Sequence, residues 1–248
     1  MPLLFLSPST QEFNQYYDGS GSEEYYMNLI ADYMEPYLTA SGITFTRNNP
    51  EGSVGDSVRL SNERDYGLHL ALHSNASGTA NYGRQTGSDV YYYPTSVNGK
   101  RGAEIFVANL KKIYPDPNKV RAIPTTRLYE INNTRAPTVF VELAYHDNAS
   151  DAEWIKNNLQ AIARNLSQSV ADYFGLTLID PADQTQSGTV VTEGGRLNVR
   201  NAPNLNADIV GQIPNGSKIT IKGQSGDWYL VSYNGINGYS YGAYIKVQ

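Results

Sequence analysis

The sequence predicts an α/β domain, a mostly parallel twisted sheet flanked by helices, followed by a small all-β barrel. Two observations carry this. Over residues 1–176 short apolar runs alternate with stretches of helical period, the pattern of strand-helix units in a parallel sheet. From residue 188 the apolar period drops to two, turn dipeptides recur and no helical pattern is present. Between them residues 177–187 shift to Asp, Pro, Gln, Thr and Ser, the composition of a linker. The expected domains are therefore 1–176 and 188–248, joined by 177–187.

The elements follow in order. Leu3 to Leu6 reads as the first strand, stopped by Ser7-Pro8-Ser9, and residues 10–21 as a polar, Gly-containing loop. Ser20 and Glu23 have capping-box spacing, and Met27, Ile30, Met34 and Leu38 recur at helical intervals up to Gly42. Ile43 to Thr46 is a second strand, and residues 47–66 hold a loop and a short helix. Gly67 to Ala76 contains the third strand, and Asp89 to Tyr93 a fourth. Ala103 to Ile113 is an amphipathic helix ended by Pro115 and Pro117. Arg127 to Ile131 reads as a short strand, Pro137 to Asn148 as a long one, and residues 151–174 as one helix closed by Gly175. In the C-terminal part, strands are expected around 189–191, 197–200, 209–210, 218–221 and 228–231, with turns at Asn215-Gly216 and Asn234-Gly235.

Composition narrows the function. A net charge of −5, with no basic cluster longer than Lys111-Lys112, argues against nucleic acid as a partner. The chain has no cysteine, so any metal must be held by His, Asp, Glu or neutral oxygen. No apolar stretch approaches membrane-spanning length, and the N-terminal apolar run is too short for a signal-peptide core. Tyrosine dominates the aromatics, 20 residues against 2 Trp and 6 Phe, as on many surfaces that hold sugars or peptides.

Three residues stand out. In the strand Leu68-His69-Leu70-Ala71-Leu72-His73, the histidines share one face and the leucines the other, and His73 falls at the strand end, where an α/β sheet opens its crevice. Glu24, three residues before Met27, falls on the buried stripe in the helix's first turn, where the helix dipole favours an acid. Glu142 sits inside Val139 to Leu143, a strand apolar on both faces, where a carboxylate needs a cation or a raised pKa. His146 lies four residues beyond it.

The string Leu197-Asn198-Val199-Arg200-Asn201-Ala202-Pro203, with Gly226-Asp227-Trp228-Tyr229 and Gly235 to Tyr244, resembles bacterial SH3 (SH3b) domains, which implies a wall-binding module for peptide parts of peptidoglycan. Tyr239 stands where that family usually has Trp. Residues 1–176 resemble the zinc-dependent N-acetylmuramoyl-L-alanine amidases of the Amidase_3 type. Glu24 before Tyr25 to Leu29 matches the metal-binding Glu, His73-Ser74-Asn75-Ala76 a metal-binding His, and Glu142-Leu143-Ala144-Tyr145 with Asn148 the catalytic Glu. The family's first histidine ligand has no counterpart, because Ser7-Pro8-Ser9-Thr10-Gln11 contains none.

The resemblance implies Zn²⁺ on Glu24 and His73, with Glu142 as general base; the third ligand, for which the resemblance supplies no residue, is expected to be Gln11, with Thr10, or a histidine from elsewhere, His146 ahead of His69, as alternatives. It implies cleavage of the amide between N-acetylmuramic acid and L-alanine, at the cell wall or outside the cell, as expected of a phage endolysin, a mother-cell enzyme or a chain trimmed of its leader. The alternatives are a degenerate, metal-free peptidoglycan binder and a stem-peptide peptidase, though one without a Cys-His site.

Overall fold

The computed structural model describes residues 2–183 and 185–248; Met1, and Gln184 of the expected linker, lie outside the described residues. By its internal contacts the chain divides into Met1–Ala31 with Ile43–Thr177, and Asp32–Gly42 with Leu178–Gln248.

The first unit is built on six strands: β1 (Leu3–Pro8), β2 (Thr44–Arg47), β3 (Leu68–Asn75), β4 (Ser88–Tyr92), β5 (Val120–Pro124) and β6 (Thr138–Tyr145). Their order is β2-β1-β3-β6-β4-β5. Every neighbouring pair is parallel except β4 with β6, so the expected mostly parallel sheet is found with one reversal in it. Strand β6 has a parallel neighbour in β3 and an antiparallel one in β4.

Alternation along these strands divides the residues as the pattern requires. Leu68, Leu70 and Leu72 of β3, with Val139, Val141 and Leu143 of β6, form an apolar face exposed by no more than 1%. The opposite face carries His69, Ala71 and His73, in register with Thr138, Phe140 and Glu142.

The helices are α1 (Glu23–Ala40), α2 (Val54–Ser61), α3 (Val97–Leu110), α4 (Tyr129–Asn133), α5 (Ala149–Asn157) and α6 (Leu159–Phe174). Met27, Ile30, Met34 and Leu38 of α1 are fully buried, as their spacing predicts. The start of α1 differs from expectation: Ser22, not Ser20, offers its Oγ to the Tyr25 N–H. Helix α2 opens on a capping box between Ser53 and Asp56.

Other boundaries also move. Helix α3 starts six residues before the expected Ala103, because the Ser96 hydroxyl caps it through the Gly99 N–H. The helix expected over 151–174 is two, broken at Asn158, whose backbone leaves the helical region (φ −127°, ψ 20°). Gly175 closes α6 in the left-handed conformation. The strand expected at 127–131 is instead α4, and the edge strand β5 lies just before it, at 120–124. Helix α4 packs against β6, and its Ile131 joins Ala71 and Phe140 in a small cluster on the histidine face.

The second unit holds seven antiparallel strands, β7 (Gln186–Val190), β8 (Arg196–Arg200), β9 (Ile209–Pro214), β10 (Lys218–Ser225), β11 (Trp228–Tyr233), β12 (Ile236–Tyr241) and β13 (Ile245–Val247), in the order β13-β7-β10-β11-β12-β8-β9. Val190, Leu197, Val199, Ile213, Ile219, Ile221, Val231 and Ile245 form its core. Asn234 and Gly235, both at positive φ (46° and 84°), make the two-residue turn that sets β11 and β12 in register from Tyr233 with Ile236.

Candidate active site

At the C-terminal ends of β1, β3 and β6, side chains from five segments meet. His73 is the centre. It ends the buried face of β3, is 7% exposed, and its ring stacks on Phe140 of β6 with centroids 4.3 Å apart. Its Nδ1 lies 2.8 Å from Glu23 Oε1 and its Nε2 lies 3.2 Å from Glu130 Oε2.

Glu23 comes from the first turn of α1 and is 1% exposed. Asn14 Nδ2 donates to its other oxygen at 2.7 Å. Gln11, in the loop after β1, brings its amide nitrogen to 3.4 Å from Glu23 Oε1 and 3.3 Å from His73 Nδ1, while its Oε1 accepts from Asn14. Gln11, Glu23 and His73 therefore converge on one point, although 62 residues separate the first from the last.

Glu142 completes the arrangement from β6. It is the register partner of His73 on β3 and of Asp89 on β4, so all three side chains leave the same face of the sheet. Asp89 is neutralised by two hydrogen bonds from Arg121, at 3.0 and 3.1 Å. No such partner reaches Glu142 Oε2, a buried oxygen without a hydrogen bond. Such an atom is uncommon in a folded interior and common where a reactant belongs.

The electrostatics follow from this packing. Burial, opposed by the His73 charge and aided by Glu23 and Asp89, pushes the Glu142 carboxyl up to about 8. Burial would lower the His73 imidazolium, but the bonds to Glu130 and Glu23 overcome it and raise His73 to about 10. Glu23 and Glu130 answer in the opposite sense: burial resists ionisation, yet the histidine bonds hold both carboxyls below the ordinary range.

Two clefts open on these groups. One, of about 410 Å³, is lined by Gln11, His73 and Glu130 together with Phe13, Val54 and Tyr129. The other, of about 690 Å³, is lined by Glu142 with Asn75, Tyr91 and Arg127.

The residues singled out in the sequence have distinct positions. His73 and Glu142 are adjacent, and Gln11 joins His73. Glu24 has an oxygen accepting from Asn28 Nδ2 at 3.3 Å, and the acid bonded to His73 is Glu23, one residue earlier. Both positions fall on the Met27 side of α1, at i−3 and i−4, and spacing alone does not separate them. Thr10 lines the first cleft.

His146 belongs to a different network. Its Nδ1 lies 2.9 Å from the Ser74 carbonyl, and its ring stacks on Tyr16. His69 contacts Ser61 Oγ through Nδ1 and Glu130 Oε1 through Nε2, one layer beneath the site. Glu130 is the residue the sequence reading missed. Its signal was an acid inside the apolar run Leu128-Tyr129-Glu130-Ile131, concealed by reading that run as a strand.

Among the described residues no group of three or more His, Cys, Asp or Glu side chains is placed to hold a metal ion. Two such side chains, Glu23 and His73, meet here and Gln11 is the third. An amide exchanges its oxygen and nitrogen ends with almost no change of shape, so Gln11, turned over, presents oxygen to the same point and gives up the bond its Oε1 accepts from Asn14. One imidazole, one carboxylate and one amide oxygen, beside an unsatisfied carboxylate, form a donor set that fits a single divalent ion with an open position.

Comparison with known proteins bears on both units. The family model described as N-acetylmuramoyl-L-alanine amidase matches residues 12–172, and that of the bacterial SH3 domain matches residues 195–246. The N-acetylmuramoyl-L-alanine amidase LytC of Bacillus subtilis (strain 168) is 30% identical over 159 residues, 62% of this chain and 31% of LytC, so the chain matches under a third of that relative's length. Among solved structures, the CwlD amidase of Clostridioides difficile, determined in complex with the GerS lipoprotein, aligns with TM-score 0.62 and 14% identity, covering 71% of this chain and 99% of that one. The amidase Ami1 of Mycobacterium smegmatis aligns with TM-score 0.61 and 16% identity, covering 70% and 96%. At such identities the likeness is one of fold.

Proposed function

We propose that this chain, which belongs to the N-acetylmuramoyl-L-alanine amidase family, hydrolyses the amide between the lactyl carboxyl of N-acetylmuramic acid and L-alanine in peptidoglycan, with Glu142 as general base. The family is one of cell-wall hydrolases, typically zinc-dependent, and its setting is the cell wall or the extracellular side. The observation that carries the reading is the row His73–Glu142 across β3 and β6, with Gln11 and Glu23 closing on His73 and Glu142 Oε2 left without a partner.

Gln11, Glu23 and His73 would hold the zinc. When bound, it polarises the scissile carbonyl and lowers the pKa of the attacking water. Glu142 must be ionised to act as base, and a cation beside His73 opposes the burial that otherwise raises its pKa. Its Oε2 takes a proton from the water as the C–O bond forms, and returns that proton to the amine nitrogen as the C–N bond breaks. The products are a free muramic acid carboxyl and a free L-alanine amino terminus. The bacterial SH3 domain would keep the enzyme on the wall by binding peptide parts of it.

The test is Glu142→Gln, assayed by the appearance of new amino termini in purified cell wall. Loss of at least about 100-fold in rate, with fold and zinc content retained, is the expected result. Turnover at the parent rate sinks the assignment. Two observations favour a second reading, a peptidoglycan binder without hydrolysis: the segment Ser7 to Gln11 contains no histidine, and both nitrogens of His73 are engaged by carboxylates. A binder retains wall affinity and releases no amino termini with zinc supplied.

A further inference from the structure

We infer that Glu130 is a positioning residue, holding the His73 ring through Nε2 so that Nδ1 faces Glu23 and Gln11. The inference rests on the zinc reading of that point. Glu130 is 2% exposed, on a helix of only five residues, and burying a carboxylate there is costly unless each oxygen is satisfied. Both oxygens are, and they divide the work. Oε1 accepts from Ser7 Oγ at 2.6 Å and from His69 Nε2 at 3.0 Å, which anchors the carboxylate to β1 and β3. Oε2 accepts from His73 Nε2 at 3.2 Å.

The anchor is itself braced. Ser61 Oγ contacts His69 Nδ1 at 2.8 Å, and the His69 ring stacks on Phe5 at 5.1 Å. With Phe140 stacked on His73 as well, the His73 ring is fixed in plane and in rotation. Nε2 of His73 is then committed to donating, and Nδ1 is the nitrogen turned to the convergence point. A carboxylate on the far nitrogen of a metal-binding histidine orients the ring and increases its basicity as a ligand.

Zinc affinity tests this without substrate. The metal-free full-length chain is titrated with zinc against a chelating competitor, as parent and as Glu130→Gln, and the ¹⁵N-histidine spectrum is recorded for each. The Glu130→Gln chain keeps an acceptor of nearly the same shape and loses the charge. It is expected to bind zinc roughly 10–100-fold more weakly. The His73 Nε2–H resonance, held downfield and protected from exchange in the parent, moves upfield and exchanges faster.

Affinity within twofold of the parent and an unmoved resonance would overturn the inference, leaving Glu130 a packing residue. Loss of zinc by more than about 1,000-fold, beyond the range for such partners, would make Glu130 a ligand instead. If Glu130→Gln does not fold, Ser7→Ala removes one anchor of the carboxylate and is expected to weaken zinc roughly 3–10-fold; an unchanged affinity there overturns the inference. A parent chain that takes up no zinc sinks the metal reading and this inference together. A zinc-binding parent whose Glu142→Gln variant still turns over at the parent rate sinks only the amidase mechanism.

Discussion

At His73, burial alone would strip the proton from the ring, and carboxylates at 2.8 and 3.2 Å reverse that. In the metal-free chain His73 and Glu142 therefore bind more protons folded than unfolded. Linkage then requires stability to fall as pH rises. Glu142 contributes this fall between its ordinary 4.5 and about 8, and His73 between 6.5 and about 10. Glu23 and Glu130 are shifted down, so their stabilisation is complete above 4.5 and is lost below it. In EDTA, Tm by calorimetry should peak near pH 5 and decline towards pH 10; a Tm that rises between pH 6 and 9 contradicts this site. At this scale the sequence revealed His73 and Glu142 because each breaks a local rule, a histidine or an acid inside an apolar strand. It did not separate Glu23 from Glu24, since adjacent residues of a first helical turn differ only in what faces them from β3.

At the scale of elements, α3 reaches the apolar face of the sheet because Gly102 has no side chain. A Cβ built there would lie 2.6 Å from Val139 Cγ2 and 3.3 Å from the Tyr173 ring, which packs from α6. Gly102→Ala gains helix propensity and loses more to overpacking, for a net cost of about 1–2 kcal/mol. Tm should drop by a few degrees, with zinc affinity unchanged because the substitution lies on the sheet face opposite His73. An equal or higher Tm would mean that α3 and β6 can separate without penalty. The helix stripes were legible because four or more apolar positions repeat, as in α1. Helix α4 was not: five residues hold barely one turn, and Leu128, Tyr129 and Ile131 suit a strand equally well until the packing of Ile131 and Leu128 with Ala71 and Phe140 selects the helix.

For the whole molecule, zinc held in the folded state and not in the unfolded chain must raise stability by mass action. At a free concentration one hundred times Kd the gain is about 2.7 kcal/mol, enough to raise Tm by several degrees and to be reversed by EDTA. A Tm indifferent to zinc would contradict the donor set of Gln11, Glu23 and His73. The two fold classes were readable along the chain because a period of 3.6 with intervening strands and a period of two with Asn-Gly turns are local patterns, set by backbone geometry. By itself the sequence determined the alternation of faces on β3 and β6, the apolar stripe of α1, and the absence of cysteine that confines any metal to imidazole and oxygen ligands. Only the tertiary structure decided that Glu23 meets His73, that His146 is taken by Ser74, and that Glu130 reaches across to hold His73 from behind. These are meetings of groups 50 to 72 residues apart, and their partners are chosen by how strands and helices pack, which no local spacing encodes.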